Sequence, residues 1–559
     1  MTAGQETARP APPAGRHQAG PTRQPGQARH FGVVAPAFPS HFSALAALAA
    51  ELVRRGHRVT FLHRPDAAAY LAGWLSAEVT AGPGAAAAAA HRDALRQHGG
   101  RAAGPGPDGF DTGVRGRSGV DGAIVPGIGF HALGVQRFPP GSLAAALRRA
   151  ANPGSPLGLR RVILDMADAT TMLCEELPAA IAALRIDAIL GDQMEAAAGL
   201  VAEALQLPFV SVACALPVNR EPAVPLPVMP FAYDASPRGL QMVAGSTGVY
   251  DWIMTPHRRA IETQARRLGL AARGAMHECL SPLAQISQTI AGFDFPRQQL
   301  PAHFHHVGPL RAVAQPPHTA QPAAGTAATM TSAAAAAPAA PAPPAARIAP
   351  TAAGTDRGAP HAAAAPNVPN APTITPLPAF DPGRPLVFAS LGTLQGQRFG
   401  AFERIAKACR ALDVQLLAAH CGGLDDRQAL AIERAGTPGA TTVCAFAPQQ
   451  AALARADAVI THAGLNTVMD AIGTATPMLA LPIAFDQPGV AARVCHAGIG
   501  RRASARISSA GTLAAHLRAL LDDPSYLRSL APLSAELAQA GGVVRAADIV
   551  EQALAGAAS

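Results

Sequence analysis

Residues 443–490 of this 559-residue chain read VCAFAPQQAALARADAVITHAGLNTVMDAIGTATPMLALPIAFDQPGV. The apolar segments ADAVIT and PMLALP have the length and composition of buried strands, and the residues between them are typical of a helix. A strand, a helix and a second strand in this order form the repeating unit of a parallel α/β sheet. The stretch therefore predicts an α/β domain in which the residues that follow the two strands lie at one edge of the sheet.

Four residues at the first junction have small or polar side chains: His462, Gly464, Asn466 and Thr467. The unpaired amides of a helix's first turn and the positive end of its dipole favour phosphate oxygens. Gly464 lets the backbone approach, and the other three side chains add hydrogen-bond donors. Each residue alone is also compatible with an incidental polar cap, but the ordered set predicts a phosphate site. Asp486 and Gln487 follow the second strand, where a carboxylate beside a carboxamide is suited to binding sugar hydroxyls.

The order of residues in this stretch resembles the donor-site signature of nucleotide-sugar glycosyltransferases of the plant secondary-product type. The resemblance is carried by Phe446, Pro448, Gln449, His462, Gly464, Asn466, Thr467, Asp470, Pro482, Asp486 and Gln487. Leu465 stands where that family usually has tryptophan, Thr467 where it has serine, and Asp470 where it has glutamate.

The resemblance implies a role for each donor-site residue. Gln449 lies near the nucleotide base, and Asp470 lies near the ribose. The implied pyrophosphate ligands are Ser390, Thr393, His462, Asn466 and Thr467.

Composition divides the rest of the chain. Residues 1–29 carry Pro, Gly, Gln and four arginines without an apolar run, which predicts a disordered tail. Residues 312–378 are rich in Ala and Pro and predict an extended linker, and residues 81–122 predict a surface insertion. The remaining domains are an acceptor-binding domain at 30–311 and a nucleotide-sugar-binding domain at 379–559.

Strand and helix patterns alternate in both domains. In the first, HFGVVAPA, FSALAALAAELVRRG and HRVTFLH predict one βαβ unit, and IDAILGD, MEAAAGLVAEALQL and PFVSVAC predict another. In the second, PLVFAS, VQLLAAH, TTVCAF, ADAVITH and PMLALP predict five strands. The fold class is therefore α/β, with two Rossmann-like, doubly wound domains that face a ligand cleft. The resemblance implies the GT-B arrangement.

Charge, cysteines and histidines exclude several other classes. The formal net charge of +8 comes mostly from isolated arginines, without the basic and aromatic stripe of a nucleic-acid site. Seven cysteines without a Cys-x-x-Cys pair predict reduced thiols and a cytoplasmic protein. His303, His305 and His306 lack the separated ligand pairs of a zinc site, so we expect a strand or an exposed turn there and no metal.

His41 and Asp192 are the predicted catalytic residues. His41 begins the first helix directly after the first strand, and Asp192 ends the strand IDAILGD at the same edge of the same sheet. We expect the helix's positive end to keep His41 neutral, so that it removes a proton from an acceptor hydroxyl while Asp192 orients the imidazole. Capping of a helix is the alternative role for each residue alone.

A second resemblance covers most of residues 30–311 and 379–555. The stretches GDQMEAAAGLVAEALQLPFVSVACALPVNREPAVPLPVMPF, LSPLAQISQTIAGFDFPR, FASLGTLQG and AFDQPGVAAR resemble bacterial zeaxanthin glucosyltransferases, a carotenoid-modifying branch of the same superfamily. The resemblance implies UDP-glucose as donor and a carotenoid diol as acceptor. The sequence contains no Asp-x-Asp triplet, so we expect no metal or other cofactor. Two alternatives remain, another lipophilic acceptor such as a macrolide, sterol or phenolic, and a non-catalytic binding protein. An acceptor of this kind also predicts peripheral contact with an anionic membrane.

Overall fold

A computed structural model describes residues 27–69, 71–72, 122–311 and 375–556. The predicted tail, insertion and linker lie outside these ranges, except for residues 27–29, Gly122 and residues 375–378. These remnants differ from the prediction. The backbone of Arg29 hydrogen-bonds to His57 and to the residue after it, Gly122 begins a strand, and the amide of Thr375 donates to Phe446 O at 2.9 Å. Each domain therefore begins a few residues before the predicted end of the tail or linker that precedes it.

The first domain is built on a sheet in which the described residues form eight strands. In chain order these are β1 (His30–Val34), β2 (Arg58–His63), β3 (Gly122–Val125), β4 (Ile128–Ala132), β5 (Ala188–Asp192), β6 (Phe209–Ala213), β7 (Ala284–Ser287) and β8 (Phe304–His306). Their spatial order is β3-β4-β2-β1-β5-β6-β7-β8. Every neighbouring pair is parallel except β3 and β4. The order turns back between β1 and β5, which is where open α/β sheets bind their ligands.

Helices cover both faces of this sheet. They are α1 (Pro39–Arg54), α2 (Ser142–Ala151), α3 (Pro156–Leu184), α4 (Ala196–Ala204), α5 (Pro237–Ile253) and α6 (Thr255–Arg267). The apolar residues of α1 pack on one face with β1 and β2, and those of α3 and α4 pack on the other. Short 3₁₀ turns lie at Pro65–Ala67, Met276–Cys279 and Ala291–Phe293.

The second domain has a six-stranded parallel sheet within the described residues. Its strands are β9 (Leu386–Ser390), β10 (Gln415–Ala419), β11 (Thr441–Cys444), β12 (Ala458–Thr461), β13 (Met478–Ala480) and β14 (Gly500–Arg502), in the order β11-β10-β9-β12-β13-β14. The five predicted strands are confirmed, and β14 is an addition. The turning point of this sheet lies between β9 and β12, where Ser390 pairs with Thr461.

The helices of the second domain include one that returns to the first. They are α7 (Phe399–Leu412), α8 (Asp426–Ala435), α9 (Gln449–Leu453), α10 (Leu465–Gly473), α11 (Gln487–His496), α12 (Ala510–Asp522), α13 (Ser525–Gln539) and α14 (Gly542–Gly556). Val543, Val550 and Leu554 of α14 are buried in the core of the first domain, together with α1. This helix was predicted to belong to the second domain, but its apolar face packs in the core of the first.

The carboxyl edges of the two sheets face each other across a cleft. Phe38, which follows β1, packs edge-to-face on Phe485, which follows β13, with ring centroids 5.4 Å apart. No helix among the residues that the structure describes is long and apolar enough to cross a membrane.

Candidate active site

The first half of the site lies at the turning point of the first sheet. Because β1 and β5 are parallel neighbours, the residues that follow β1 and those that end β5 meet at one edge. His41, in the first turn of α1, lies with its Nδ1 2.7 Å from Oδ2 of Asp192. The Asp192 side chain is fully buried, and that of His41 is 12% exposed. The predicted contact is therefore present, and neither capping alternative holds, since Phe38 and Glu195 occupy the N-cap positions of α1 and α4.

Asp192 is held in place from its other side. Its Oδ1 accepts a hydrogen bond from the amide of Met194 at 2.8 Å. A carboxylate can only accept, so the hydrogen between the two side chains is on His41 Nδ1, and Nε2 is left as the basic nitrogen.

The prediction that the pKa of His41 is lowered is wrong, because the pKa is raised. Burial acts to lower the pKa of His41, but the carboxylates of Asp192 and Asp486 together outweigh it and hold the pKa above its ordinary value. The prediction let the helix dipole decide the resting state and gave Asp192 the role of stabilising the imidazolium during the reaction, but a carboxylate in direct contact has a larger effect than the dipole in the resting state as well. His41 is therefore a stronger base than an isolated imidazole, and it is neutral only at a correspondingly higher pH.

Asp486 reaches this pair from the second domain. Its carboxylate accepts from the amide of Leu216, in the first domain, at 3.3 Å. Burial raises the pKa of Asp486, while the Leu216 amide and His41 oppose the rise. Gln487, its predicted partner, is differently engaged, since its Oε1 accepts from the amides of Ile483 and Ala484 at 2.9 and 2.8 Å. Of the two predicted sugar ligands, Asp486 lies within electrostatic range of His41, whereas the side-chain carbonyl of Gln487 accepts hydrogen bonds from its own loop.

The second half of the site surrounds His462. A methyl group placed on Gly392 or on Gly464 would come within 2.6 Å of the His462 ring, so only glycine fits on either side without displacing the imidazole. Burial lowers the pKa of His462 to about 4. Its buried Nδ1 has no hydrogen-bond partner among the described residues. The ring is thus neutral at physiological pH, because a contact with the backbone of Ser390 opposes the effect of burial only in part.

Helix α10 begins at this ring with an open end. Its N-cap, Gly464, provides no side-chain cap, so the first-turn amides are available to an anion. Asn466 lies in the same turn, and its buried Oδ1 likewise lacks a partner in the described part of the chain. Ser390 is buried at the end of β9, and Thr393 is exposed in the loop that follows. The structure therefore places Asn466 and Thr467 in the first turn of α10, directly after His462, and Ser390 at the end of the neighbouring strand.

The predicted base and ribose ligands are already connected to each other. Gln449 Nε2 donates to Asp470 Oδ2 at 2.7 Å, and Thr467 Oγ1 donates to Gln449 Oε1 at 3.4 Å. Arg311, at the end of the first domain, donates to Asp470 Oδ1 at 3.1 Å and to Asn466 O at 3.3 Å. Sequence reasoning missed Arg311, because nothing in the residues around it indicates that it reaches α10.

A buried ion pair fixes α11, the helix that follows Asp486, to the first domain. Arg493 Nε donates to Asp294 Oδ1 at 2.6 Å, and both side chains are almost completely buried. Arg297 donates to the other oxygen of Asp294 at 2.9 Å. The amide of Gly489 donates to Pro227 O at 3.1 Å, so the first turn of α11 also contacts the first domain. These contacts join sequence-distant residues and were not predicted.

Among the described residues, one cluster of side chains offers several possible metal-ligand atoms. His41, Asp192 and Cys214 offer ligand atoms within 4.8 Å of one another. His41 and Asp192 are already paired, however, and burial raises the pKa of the Cys214 thiol well above its ordinary value, which disfavours the thiolate that binds metals. Of the three histidines at 303–306, His305 and His306 lie in β8, as expected, and His303 directly precedes that strand. His306 Nδ1 is hydrogen-bonded to Thr289.

Known proteins share both the sequence and the fold. Residues 386–537 match the family described as UDP-glucoronosyl and UDP-glucosyl transferase. The chain is 40% identical over 525 residues to a zeaxanthin glucosyltransferase of Pantoea ananas, covering 94% of this chain and 96% of that protein. It is 38% identical over 530 residues to a zeaxanthin glucosyltransferase of Pseudescherichia vulneris, covering 95% and 99% of the two chains.

Among solved structures, the glycotransferase of kitacinnamycin superposes with a TM-score of 0.58 at 17% identity, over 94% of this chain and all of that one. This likeness concerns the fold, and it supports the GT-B arrangement of two facing domains. The two zeaxanthin glucosyltransferases, at 38–40% identity over nearly their whole length, are more closely related to this chain than a protein that shares only its fold. The chain belongs to the UDP-glucoronosyl and UDP-glucosyl transferase family.

Proposed function

We propose that the chain transfers glucose from UDP-glucose to the ring hydroxyls of zeaxanthin or a related xanthophyll and forms mono- and diglucosides. Two relatives that carry the name zeaxanthin glucosyltransferase, both matched along almost their whole length, support this donor and this acceptor. The observation that carries the chemistry is the His41–Asp192 pair, which lies within electrostatic range of Asp486 from the opposite domain. A base and a sugar ligand thus meet at the cleft.

In the proposed reaction, His41 Nε2 removes the proton from an acceptor hydroxyl. Asp192 holds the Nδ1–H tautomer and stabilises the imidazolium that forms. The acceptor oxygen attacks the anomeric carbon from the face opposite UDP, and the bond to the UDP oxygen breaks with its electron pair. A single displacement of this kind converts an α-linked donor into a β-glucoside.

The donor residues have matching roles in this proposal. The amides of α10 and the side chains of Ser390, Thr393, His462, Asn466 and Thr467 bind the pyrophosphate and stabilise the departing UDP. Gly464 admits the phosphate next to the backbone, Gln449 lies by the base, and Asp486 with Gln487 binds the sugar. Asp470 binds the ribose, and Arg311 donates a hydrogen bond to the Asp470 carboxylate.

The decisive experiment is mass analysis of pigments after co-expression with a zeaxanthin-producing pathway, with the His41→Ala variant alongside. The proposal expects pigments heavier by one and two hexoses with the wild-type chain and unmodified zeaxanthin with the variant. A panel of macrolide, sterol and phenolic acceptors with labelled UDP-glucose tests the alternative acceptors. Preference for one of these over zeaxanthin would refute the carotenoid assignment, and equal product from His41→Ala would refute the mechanism.

Peripheral membrane contact is part of this proposal, because a xanthophyll is too apolar to be delivered from water. Reversible attraction of a basic, partly apolar surface to anionic lipid would bring the cleft to the acceptor.

A further inference from the structure

The N-terminal turns of α3 expose large apolar side chains. Leu157, Leu159 and Leu164 are 73%, 40% and 44% exposed. Single exposed leucines are common on soluble proteins, but Leu157 and Leu164 are seven residues apart and therefore share one face of the helix, and Leu159 adds a third exposed leucine at the same helix end.

Arginines without acidic partners surround these leucines. Residues 137–168 contain five arginines and two aspartates. Both aspartates are already paired, Asp165 with Arg149 at 2.8 Å and Asp168 with Arg137 at 3.0 Å. Arg148, Arg160 and Arg161 are exposed, and no ion pair joins them to another residue in the part of the chain that the structure describes. The patch is therefore basic as well as apolar.

The same helix pair lies at the rim of the cleft. Gln395, in the donor-domain loop that follows β9, donates through Nε2 to Ala151 O at 3.0 Å. Ala151 is the last residue of α2, and α3 begins five residues later at Pro156. The exposed leucines and arginines are thus adjacent to the point where the two domains meet, beside the loop that contains Thr393.

We propose that this α2–α3 corner, formed by Arg148, Leu157, Leu159, Arg160, Arg161 and Leu164, docks the protein onto an anionic bilayer. The proposal rests on the proposed function, because it assigns the surface through which a lipid-dissolved acceptor reaches the cleft. Leucines at the tip enter the boundary between headgroups and acyl chains, and guanidinium groups pair with lipid phosphates. Charge complementarity selects this occupant, since the corner carries arginines without ion pairs among the described residues and both aspartates of residues 137–168 are paired with other arginines.

The experiment uses the full chain and liposome flotation. The variants are Leu157→Asp with Leu159→Asp, and Arg160→Gln with Arg161→Gln. The matched control is Arg506→Gln with Ile507→Asp, because Ile507 is 82% exposed and adjoins an exposed arginine in the other domain. Vesicles contain phosphatidylcholine alone or with phosphatidylglycerol, at low and high salt.

We expect wild type and control to float with the anionic vesicles at low salt and to be released at high salt. The leucine variant should fail to float in every condition. The arginine variant should bind anionic vesicles about 30-fold more weakly, since each arginine near such a surface contributes roughly a fivefold preference. Activity with vesicle-embedded zeaxanthin should fall in parallel, while activity with detergent-dispersed zeaxanthin should stay at the wild-type level.

Other outcomes would overturn the proposal. Wild type that does not float, or corner variants that float like wild type, would exclude docking through this surface. An equal loss of activity with detergent-dispersed zeaxanthin would make the corner part of the acceptor site. A dimer that only the leucine variant dissociates would identify a second copy of the chain as the occupant. If no form of the protein glucosylates zeaxanthin, the proposed function fails, yet flotation still decides the docking.

Discussion

His41 and His462 lie at the carboxyl edges of two similar sheets, each beside its turning point, but their surroundings shift their pKa values in opposite directions. Both rings are largely buried, which by itself favours the neutral form. Next to His41 the carboxylates of Asp192 and Asp486 outweigh burial and raise the pKa. Next to His462 the neighbours are Gly392 and Gly464, and the pKa falls to about 4.

The opposite pKa shifts suit the two histidines to different chemical roles. A histidine whose protonated form is stabilised by a carboxylate can take up a proton during the reaction. A histidine that stays neutral at every physiological pH can only donate or accept hydrogen bonds. The type of residue and its place after a strand are the same, so the identity of the contacting groups decides the role.

Removal of His41 should have the largest effect. His41→Ala eliminates the proposed base, so we expect turnover to fall by about 10² or more, with little change in affinity for UDP-glucose. Initial rates with saturating donor and a binding titration with UDP-glucose measure the two quantities. Turnover near the wild-type value would show that His41 is not the base, and the contrast between the two histidines would then have no catalytic meaning.

His462→Ala should affect the donor instead. Loss of one hydrogen bond to a phosphate costs about 1.5–3 kcal/mol, which corresponds to roughly 10- to 160-fold weaker UDP binding. The reaction should slow as well, because the same contact stabilises departing UDP. Isothermal titration with UDP measures the change, and His41→Ala is the reference that keeps its affinity. Unchanged UDP affinity would count against the placement of the pyrophosphate.

A smaller change tests whether glycine is needed beside His462. The φ of Gly464 is −65°, which alanine adopts freely, but the new methyl would lie 2.6 Å from the imidazole and displace it. We expect Gly464→Ala to weaken UDP binding by about tenfold, roughly half the free energy of the ring's contact with phosphate. Gly473→Ala, in the same helix, is the control, because its nearest neighbour atom lies 3.4 Å away. Equal affinities of the two variants would show that the ring tolerates displacement.

The pH dependence should show the smallest effect and the sharpest contrast. His41 acts as a base only when neutral, so the rate should decline as pH falls through its raised pKa, and Asp192→Asn should move this decline to lower pH. Affinity for UDP-glucose, whose esterified pyrophosphate does not titrate in this range, should stay nearly constant from about pH 6 to 8, because His462 does not titrate there either. Rate profiles and UDP-glucose titrations across this range check both. A decline at the same pH in Asp192→Asn would assign it to another group.

Much of the fold was predictable because its signals are local. Short apolar runs such as ADAVIT and PMLALP became β12 and β13, and the amphipathic stretch after β1 became α1. Parallel strands bring their carboxyl ends to one edge, so His41 and Asp192 could be paired, and His462 and Asn466 could be placed at a helix start. Strand β14 and the return of α14 to the first domain were missed, because neither has a pattern that shows its partner.

The sequence by itself determined the two α/β domains, the nucleotide-sugar signature and the candidate residues at the strand ends, since periodicity and spacing act over a few turns of chain. Only the tertiary structure decided what those residues contact. It brought Asp486 to His41, Arg311 to Asp470, and Arg493 to Asp294, each from the opposite domain. Such contacts depend on how the two domains pack against each other. They determine the pKa values and hydrogen bonds of the site residues through space, and local sequence patterns do not indicate them.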